Sequence, residues 1–161
     1  MRPLAAQVNL SALRANLRKA RERASGAQVL AVVKADAYGH GLMRVLPALS
    51  EADGLALLEL DAAVALRERH YARRILLLEG FFAADELAEI AARRFAVVVH
   101  HEEQIRMLEA ATLPRPIEVF VKINTGMNRL GFRPDLAHTV VDRLSRAPSV
   151  AVMRMMTHLA R

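Results

Sequence analysis

Short apolar runs and amphipathic helical segments alternate along this chain, and this alternation restricts its possible folds more than any other feature. The apolar runs predict six strands, at residues 29–33, 55–58, 75–78, 96–99, 117–123 and 150–155. Helical periodicity predicts helices at 11–24, 42–49, 61–69, 85–93, 102–111 and 134–146. Strands that alternate with helices are typical of βα units and a parallel sheet, so an α/β fold is predicted.

Two architectures are built from repeated βα units, a doubly wound open sheet and a (β/α)8 barrel. A doubly wound dinucleotide-binding fold would carry G-x-G-x-x-G after the first strand, but residues 39–44 read GHGLMR, with Arg44 in place of the third glycine. A barrel needs eight strands, whereas six are predicted in these 161 residues. We therefore expect an incomplete (β/α)8 TIM-type barrel of about six parallel βα units, forming one domain over residues 1–161 at the front of a longer protein.

Charge and composition exclude several classes of partner. The net charge of +6 is dispersed over helical patterns, and aromatic residues make up 4% of the chain with no Trp, so we expect no nucleic-acid partner. There is no cysteine, and no apolar run approaches the roughly 18 residues of a membrane span. We expect no membrane association and a cytoplasmic protein.

The segment AVVKADAYGHG, residues 31–41, places Lys34 directly after an apolar run. The run 29–33 predicts a strand buried on both faces, so Lys34 would emerge from the core. A buried ammonium is costly, and the cost disappears if the amine is neutral or bound as an imine. The alternative is that the lysine stem is buried while its charged end reaches water.

Two further motifs follow predicted strands: VKINTGMNRLGF at 121–132 and MTHLA at 156–160. The carboxyl ends of parallel strands lie on one face, where such folds bind their ligands. Lys34, Arg129 and His158 are therefore predicted to converge on one pocket. His100 and His101 are adjacent on a strand and point to opposite faces, so no metal site is predicted for them.

Together the three motifs resemble those of the alanine racemases, which are pyridoxal-phosphate enzymes of fold type III, and the resemblance extends over residues 7–160. It implies a homodimeric parent protein in which a β-rich C-terminal domain, absent here, follows the barrel. The implied activity interconverts L-alanine and D-alanine and supplies D-alanine for cell-wall peptidoglycan. Two alternatives stay open: a racemase of the same fold for serine, lysine or another amino acid, and a non-catalytic pyridoxal-phosphate-binding barrel.

The resemblance assigns three residues to the cofactor, pyridoxal 5'-phosphate. Lys34 corresponds to the lysine that binds it as a Schiff base and then acts as one of two catalytic bases. Tyr38 corresponds to a tyrosine near the cofactor phosphate, and His158 to a histidine beside the pyridine ring. A core role is the alternative for both Tyr38 and His158.

The resemblance places Arg129 and Met127 at the substrate, and a guanidinium suits a carboxylate because it binds it in a planar fork. Lys122 corresponds to a lysine that some members carry in carbamylated form; a plain lysine paired with a carboxylate is the alternative. Asp36 and Leu159 depart from the usual asparagine and phenylalanine without removing a catalytic group. The second base, a tyrosine of the C-terminal domain, is missing, so this chain alone is expected not to racemise alanine efficiently.

Overall fold

The computed structural model describes residues 4–160, which contain one sheet of six parallel strands in the order β1-β2-β3-β4-β5-β6. The strands are β1 (Leu30–Val32), β2 (Gly54–Leu57), β3 (Arg74–Leu77), β4 (Ala96–Val99), β5 (Ile117–Lys122) and β6 (Val150–Met156). The helices are α1 (Leu10–Arg23), α2 (Lys34–Tyr38), α3 (Leu42–Val45), α4 (Leu60–Glu68), α5 (Glu86–Ala92), α6 (Glu102–Ala110) and α7 (Ala137–Ser145). Short 3-10 helices cover Leu46–Leu49 and Pro134–Leu136.

The strand order decides between the two architectures. Each strand pairs in parallel with the next one along the chain, from Leu30 opposite Gly54 in β1 and β2 to Lys122 opposite Met156 in β5 and β6. A doubly wound sheet reverses its order at a switch point, whereas a barrel adds strands in sequence. The prediction of about six parallel βα units of a TIM-type barrel is confirmed, and each strand lies within two residues of its predicted bounds.

The two faces of the sheet bury different side chains. One face packs against the helices, and Leu55, Ile75, Val97 and Val119 belong to the large core formed there. The other face carries a smaller cluster formed by Ala56, Leu76, Ala96 and Val98, with Phe120 and Met156 partly buried against it. Side chains alternate along a strand, so the second cluster marks the inner face of the barrel arc.

The expectation that the first strand is buried on both faces is wrong. Val32 is 44% exposed, and Leu30 and Ala31 are only half-buried. The reason is topological, because within residues 4–160 β1 pairs with β2 alone and forms an edge of the sheet. The apolar composition of a parallel strand therefore does not report whether a neighbour covers it.

Local signals account for the helix ends. The Oδ1 of Asn9, two residues before the predicted start at Ser11, accepts a hydrogen bond from the backbone N–H of Ala12 at 3.0 Å and caps α1. Pro134 lies in the first turn of its 3-10 helix, as predicted, and α7 follows from Ala137. Among residues 4–160, no helix has both the length and the apolar character needed to cross a bilayer.

Candidate active site

Lys34 begins a single helical turn that is wound left-handed. The four residues after it, Ala35 to Tyr38, all have φ between +51° and +56°, and Gly39 follows with φ +79°. For L-residues this conformation costs roughly 1–2 kcal/mol each, and a run of four is rare. The sequence did not predict it. The turn makes the chain change direction directly beyond β1, so Lys34 lies at the carboxyl edge of the sheet.

Two carboxylates hold this turn by accepting hydrogen bonds from backbone N–H groups. The Oε1 of Glu59, which follows β2, accepts from the backbone N–H of Ala35 at 3.2 Å. The Oδ1 of Asp36 accepts from the N–H of Leu42, the first residue of α3, at 2.6 Å. An asparagine at position 36 also offers an acceptor oxygen, so aspartate can meet the same structural need.

Replacing Ala35 with glycine is expected to stabilise the chain. Ala35 is exposed with φ +51°, and glycine adopts this conformation without the Cβ penalty. We expect the free energy of unfolding in urea to rise by about 0.5–1 kcal/mol. The exposed Ala12→Gly in α1 is the control and should lower it by a similar amount. A loss of stability in Ala35→Gly would contradict the left-handed turn.

Lys122, the last residue of β5, is buried on the inner face of the arc. Its side chain is 7% exposed, and it shares the orientation of Phe120, which packs in the inner cluster. Burial, together with the positive charges of Arg129 and Lys34, lowers the pKa of the Lys122 ammonium, and Glu79 only partly opposes this. Three predicted site residues, Lys34, Lys122 and Arg129, therefore lie close enough to interact electrostatically.

Arg129 lies on a loop that is shaped by Asn124. The Asn124 Oδ1 accepts from the backbone N–H groups of Gly126 at 3.1 Å and Asn128 at 3.0 Å, and Asn128 has φ +57°. The loop is tied to the end of β6 because the hydroxyls of Thr125 and Thr157 are 2.6 Å apart. Arg129 itself is exposed, so its guanidinium is presented to solvent at the carboxyl edge.

The remaining predicted residues share this edge but not one cavity. Arg129 lines a cavity of about 430 Å³ with His100 and Asn124, whereas Tyr38 lines a different groove, between α1 and β1. Tyr38 is 59% exposed, and His158 is exposed beyond β6. The expected convergence on one pocket is therefore incomplete in this chain, because the sheet is an open arc and its two ends are not enclosed. Met127 is half-buried on the Asn124 loop.

Sequence reasoning missed a polar cluster beside Lys122. The ring Nε2 of His100 lies 3.1 Å from the backbone oxygen of Glu79. Gln104, 4% exposed, accepts from the His100 N–H at 2.9 Å and donates to the oxygens of Glu79 at 2.9 Å and Phe81 at 3.1 Å. Burial lowers the pKa of His100, and the charge of Lys122 lowers it further. His100 follows Val98 by two residues, and this spacing could have placed it on the inner face.

The two adjacent histidines follow β4, which ends at Val99, and both line the cavity beside Arg129. The expectation that they lie on a strand is therefore wrong. His101 is exposed, and its Nδ1 accepts from the N–H of Glu103 at 3.3 Å, at the start of α6. Within the described residues, no group of three or more His, Cys, Asp or Glu side chains is arranged to hold a metal ion.

Removing the Lys122 charge is expected to abolish a pH dependence of stability. The folded pKa lies below the ordinary value of 10.5, so between the two values the unfolded chain binds more protons and stability rises with pH. Below the folded pKa the full cost of the buried charge is present. In CO2-free buffer, Lys122→Met should remove this rise and stabilise the chain near neutral pH by about 1 kcal/mol. Thermal melts across this range measure the slope. Lys19→Met, at an exposed position of α1, should leave it unchanged.

Comparison with known proteins assigns this chain to a family. The family model described as "Alanine racemase, N-terminal domain" matches residues 8–161. The chain belongs to the alanine racemase N-terminal domain family. The resemblance carried by the three motifs is thereby confirmed.

Individual relatives agree with this assignment. An alanine racemase from Nitrosospira multiformis is 51% identical over 159 residues, which are 99% of this chain and 44% of the relative. The crystal structure of biosynthetic alanine racemase from Pseudomonas aeruginosa superposes with a TM-score of 0.92 at 43% identity, over 99% of this chain and 45% of that one. A histidine racemase from Leuconostoc mesenteroides subsp. sake superposes with a TM-score of 0.82 at 26% identity, over 94% of this chain and 42% of that one. The chain thus spans less than half the length of these relatives.

Proposed function

We propose that residues 1–161 form the N-terminal, pyridoxal-phosphate-binding barrel domain of an alanine racemase that interconverts L-alanine and D-alanine. The observation that carries the proposal is Lys34, held on a left-handed turn at the same sheet edge as the buried Lys122 and the loop of Arg129. Conformational strain persists where surrounding structure holds it, and it clusters at functional sites. A purely structural turn would not require a lysine there.

The residues at this edge fit pyridoxal 5'-phosphate. Lys34, Lys122 and Arg129 concentrate positive charge, which suits a ligand that carries a phosphate and a substrate that carries a carboxylate. Lys34 supplies the amine for the aldehyde, the exposed hydroxyl of Tyr38 is available to the phosphate, and His158 is the candidate beside the ring. When bound, the cofactor supplies an electron sink that stabilises negative charge at the substrate α-carbon.

The chain's own groups would then bind the substrate and move the proton. The Arg129 guanidinium would bind the alanine carboxylate as a planar fork, and Met127 would line the same region. The Nζ of Lys34 would accept the α-proton on one side of the substrate and return it. Carbamylation of Lys122 by CO2 would replace a costly cation with an anion within electrostatic reach of Arg129 and Lys34, and so help to orient the guanidinium.

Racemisation needs a second proton donor on the opposite side of the substrate, and neither tyrosine of this chain is placed to act as one. It has two tyrosines, Tyr38 and Tyr71. Tyr38 is already assigned to the phosphate, and Tyr71 precedes β3, at the opposite edge of the sheet, with its hydroxyl buried and unpaired. We therefore propose that a longer, homodimeric parent provides the second base, and that the chain alone turns over slowly. D-Alanine made in the cytoplasm for peptidoglycan is the corresponding physiological role.

A second candidate is racemisation of a different amino acid. The likeness to a histidine racemase at a TM-score of 0.82 favours keeping it, because that protein has a similar barrel arc and is named for a different amino acid. Turnover assays of the parent protein with L-alanine and L-histidine would separate the two candidates. Preference for L-histidine would reject alanine as the main substrate.

Cofactor capture by this chain tests the central proposal. Mixing it with pyridoxal 5'-phosphate should produce the absorbance band of the lysine-bound cofactor, and borohydride reduction followed by peptide mapping should locate the label on Lys34. Lys34→Ala should lose the band, while Lys19→Ala, which changes an exposed lysine of α1, should keep it. Labelling spread over all three lysines would reject the site.

A further inference from the structure

Arginines gather at the edge of the sheet opposite to Lys34. Residues Arg73 and Arg74 lead into β3, Arg94 lies just before β4, and Arg115 lies just before β5. A cavity of about 480 Å³ opens between the loops that precede β3 and β4. Five arginines and one carboxylate line it: Arg67, Arg73, Arg74, Arg93, Arg94 and Glu118. A neighbouring cavity of about 440 Å³ shares Arg94 and Glu118 and adds Arg115. The amino edge therefore has a concave and strongly basic surface.

Local carboxylates compensate only part of this charge. Glu118 forms ion pairs with both Arg74 and Arg154. The Nε of Arg74 lies 3.1 Å from the Oε2 of Glu118. Arg93 pairs with Glu89 and lies 3.7 Å from Glu68. Over residues 4–160, the ion pairs within 4.0 Å include none with Arg67, Arg73, Arg94 or Arg115. The cavity is thus lined by more cations than the fold neutralises.

Backbone oxygens engage the guanidiniums of Arg67 and Arg73. The Arg67 guanidinium donates to the backbone oxygens of Arg73 at 2.8 Å and Arg93 at 3.0 Å, and its face lies over the ring of Phe95. It therefore fixes the two loops that border the cavity. Its pKa is lowered, chiefly by burial and further by the charge of Arg94. The Arg73 guanidinium donates to the backbone oxygen of Ala52. Within residues 4–160, the exposed side chain of Arg94 makes no hydrogen bond and no ion pair, so it is available to a ligand.

The backbone conformation of Arg94 also supports a role for its side chain at this cavity. Arg94 has φ +57° at the end of α5, where glycine is the favoured residue. Arginine is strained at this φ relative to glycine, and its guanidinium group places a cation at the cavity.

We propose that this basic surface, which we call the amino-edge site, binds a small polyphosphate anion such as the phosphate chain of a nucleoside triphosphate or inorganic tripolyphosphate. Guanidiniums bind phosphate oxygens through paired N–H donors, and several without carboxylate partners suit an anion that carries several charges. The cavity has the size of a small-molecule site. Phe95, the aromatic ring beside it, is buried, so a stacking platform for single-stranded nucleic acid is missing from this part of the described surface.

Calorimetric titration with tripolyphosphate and with ATP, in the presence of saturating pyridoxal 5'-phosphate, tests the proposal. The double variant Arg73→Gln/Arg94→Gln should weaken tripolyphosphate binding at least tenfold. A charge-matched control, Arg106→Gln/Arg133→Gln, changes two exposed arginines elsewhere and should stay within twofold. Equal affinities for the two probes indicate an inorganic polyphosphate, and tenfold tighter ATP binding indicates a nucleotide.

The variant Arg94→Gly distinguishes an effect on tripolyphosphate binding from an effect on stability. Arg94→Gly should raise the melting temperature, because glycine suits φ +57°, while it weakens tripolyphosphate binding as Arg94→Gln does. Equal weakening by the charge-matched control would reject the amino-edge site in favour of nonspecific attraction to a chain of net charge +6. Displacement of tripolyphosphate by an equimolar single-stranded oligonucleotide would also overturn the proposal.

Discussion

Gly80→Ala is expected to destabilise this chain more than any other substitution considered. A Cβ at this position would lie 2.2 Å from the backbone oxygen of Val98 and 2.7 Å from the Nε2 of Gln104, and Gly80 has φ +74°. The carbonyl belongs to β4 and cannot move without breaking the sheet. We expect a loss of more than about 4 kcal/mol in the free energy of unfolding, measured by urea denaturation followed by circular dichroism.

Gly39→Ala is the matched control. Gly39 has nearly the same backbone, with φ +79°, but a Cβ there would meet no atom within 4 Å. It should cost only the left-handed penalty of roughly 1–2 kcal/mol. Similar losses in the two variants would show that the close approach of Gly80 to β4 is not present in solution.

Gln104→Leu is expected to produce the second largest effect. The buried amide of Gln104 hydrogen-bonds to three backbone groups, the N–H of His100 and the oxygens of Glu79 and Phe81. Leucine would leave the His100 N–H and the Phe81 oxygen unpaired, while the Glu79 oxygen keeps the ring Nε2 of His100 as a partner. At about 1–3 kcal/mol for each unmet buried group, partly relieved by water, we expect a loss of about 3–5 kcal/mol. Chemical denaturation of the two chains gives the difference.

The exposed Gln7 provides a control for the same substitution. Gln7→Leu should change the free energy of unfolding by no more than about 0.5 kcal/mol, because no buried group depends on it. Amide hydrogen exchange should also show faster exchange at His100 in Gln104→Leu. An unchanged rate there, with unchanged stability, would reject the hydrogen bonds assigned to Gln104.

Both substitutions act on the segment that flanks Lys122. The charge of Glu79 raises the pKa of Lys122, and the charge of Lys122 lowers the pKa of His100. Gln104 is hydrogen-bonded to the backbones of both Glu79 and His100. A variant that loosens this segment while the chain stays folded should therefore alter the pH dependence of stability attributed to Lys122.

Much of the fold could be predicted because parallel strands and their helices leave local signals. The run AVVV at 96–99 reads as a buried strand, and β4 has those bounds. The 3.6-residue periodicity of 102–111 reads as a helix, and α6 covers Glu102–Ala110. The left-handed turn after Lys34 could not be predicted, because alanine has no intrinsic preference for positive φ and surrounding contacts hold it there.

The residues of the candidate site also fall into two groups, those that the sequence predicts and those that it does not. Lys34, Arg129 and His158 could be proposed from motifs, because each follows a strand and the carboxyl ends of parallel strands share one edge. Gln104 could not, because a buried amide on a helix leaves no pattern that tells it from an exposed one. Two of its three backbone partners are 23 and 25 residues away in sequence.

By itself, the sequence determined the family, the βα architecture and the lysine on which the proposed chemistry depends, since motif identity and hydrophobic periodicity are local properties of the chain. Only the tertiary structure decided that β1 is an exposed edge, that Lys122 is buried beside Glu79 and His100, and that uncompensated arginines gather at the opposite edge. These features depend on which distant residues the sheet brings together. Burial and electrostatic coupling are set by that arrangement in space.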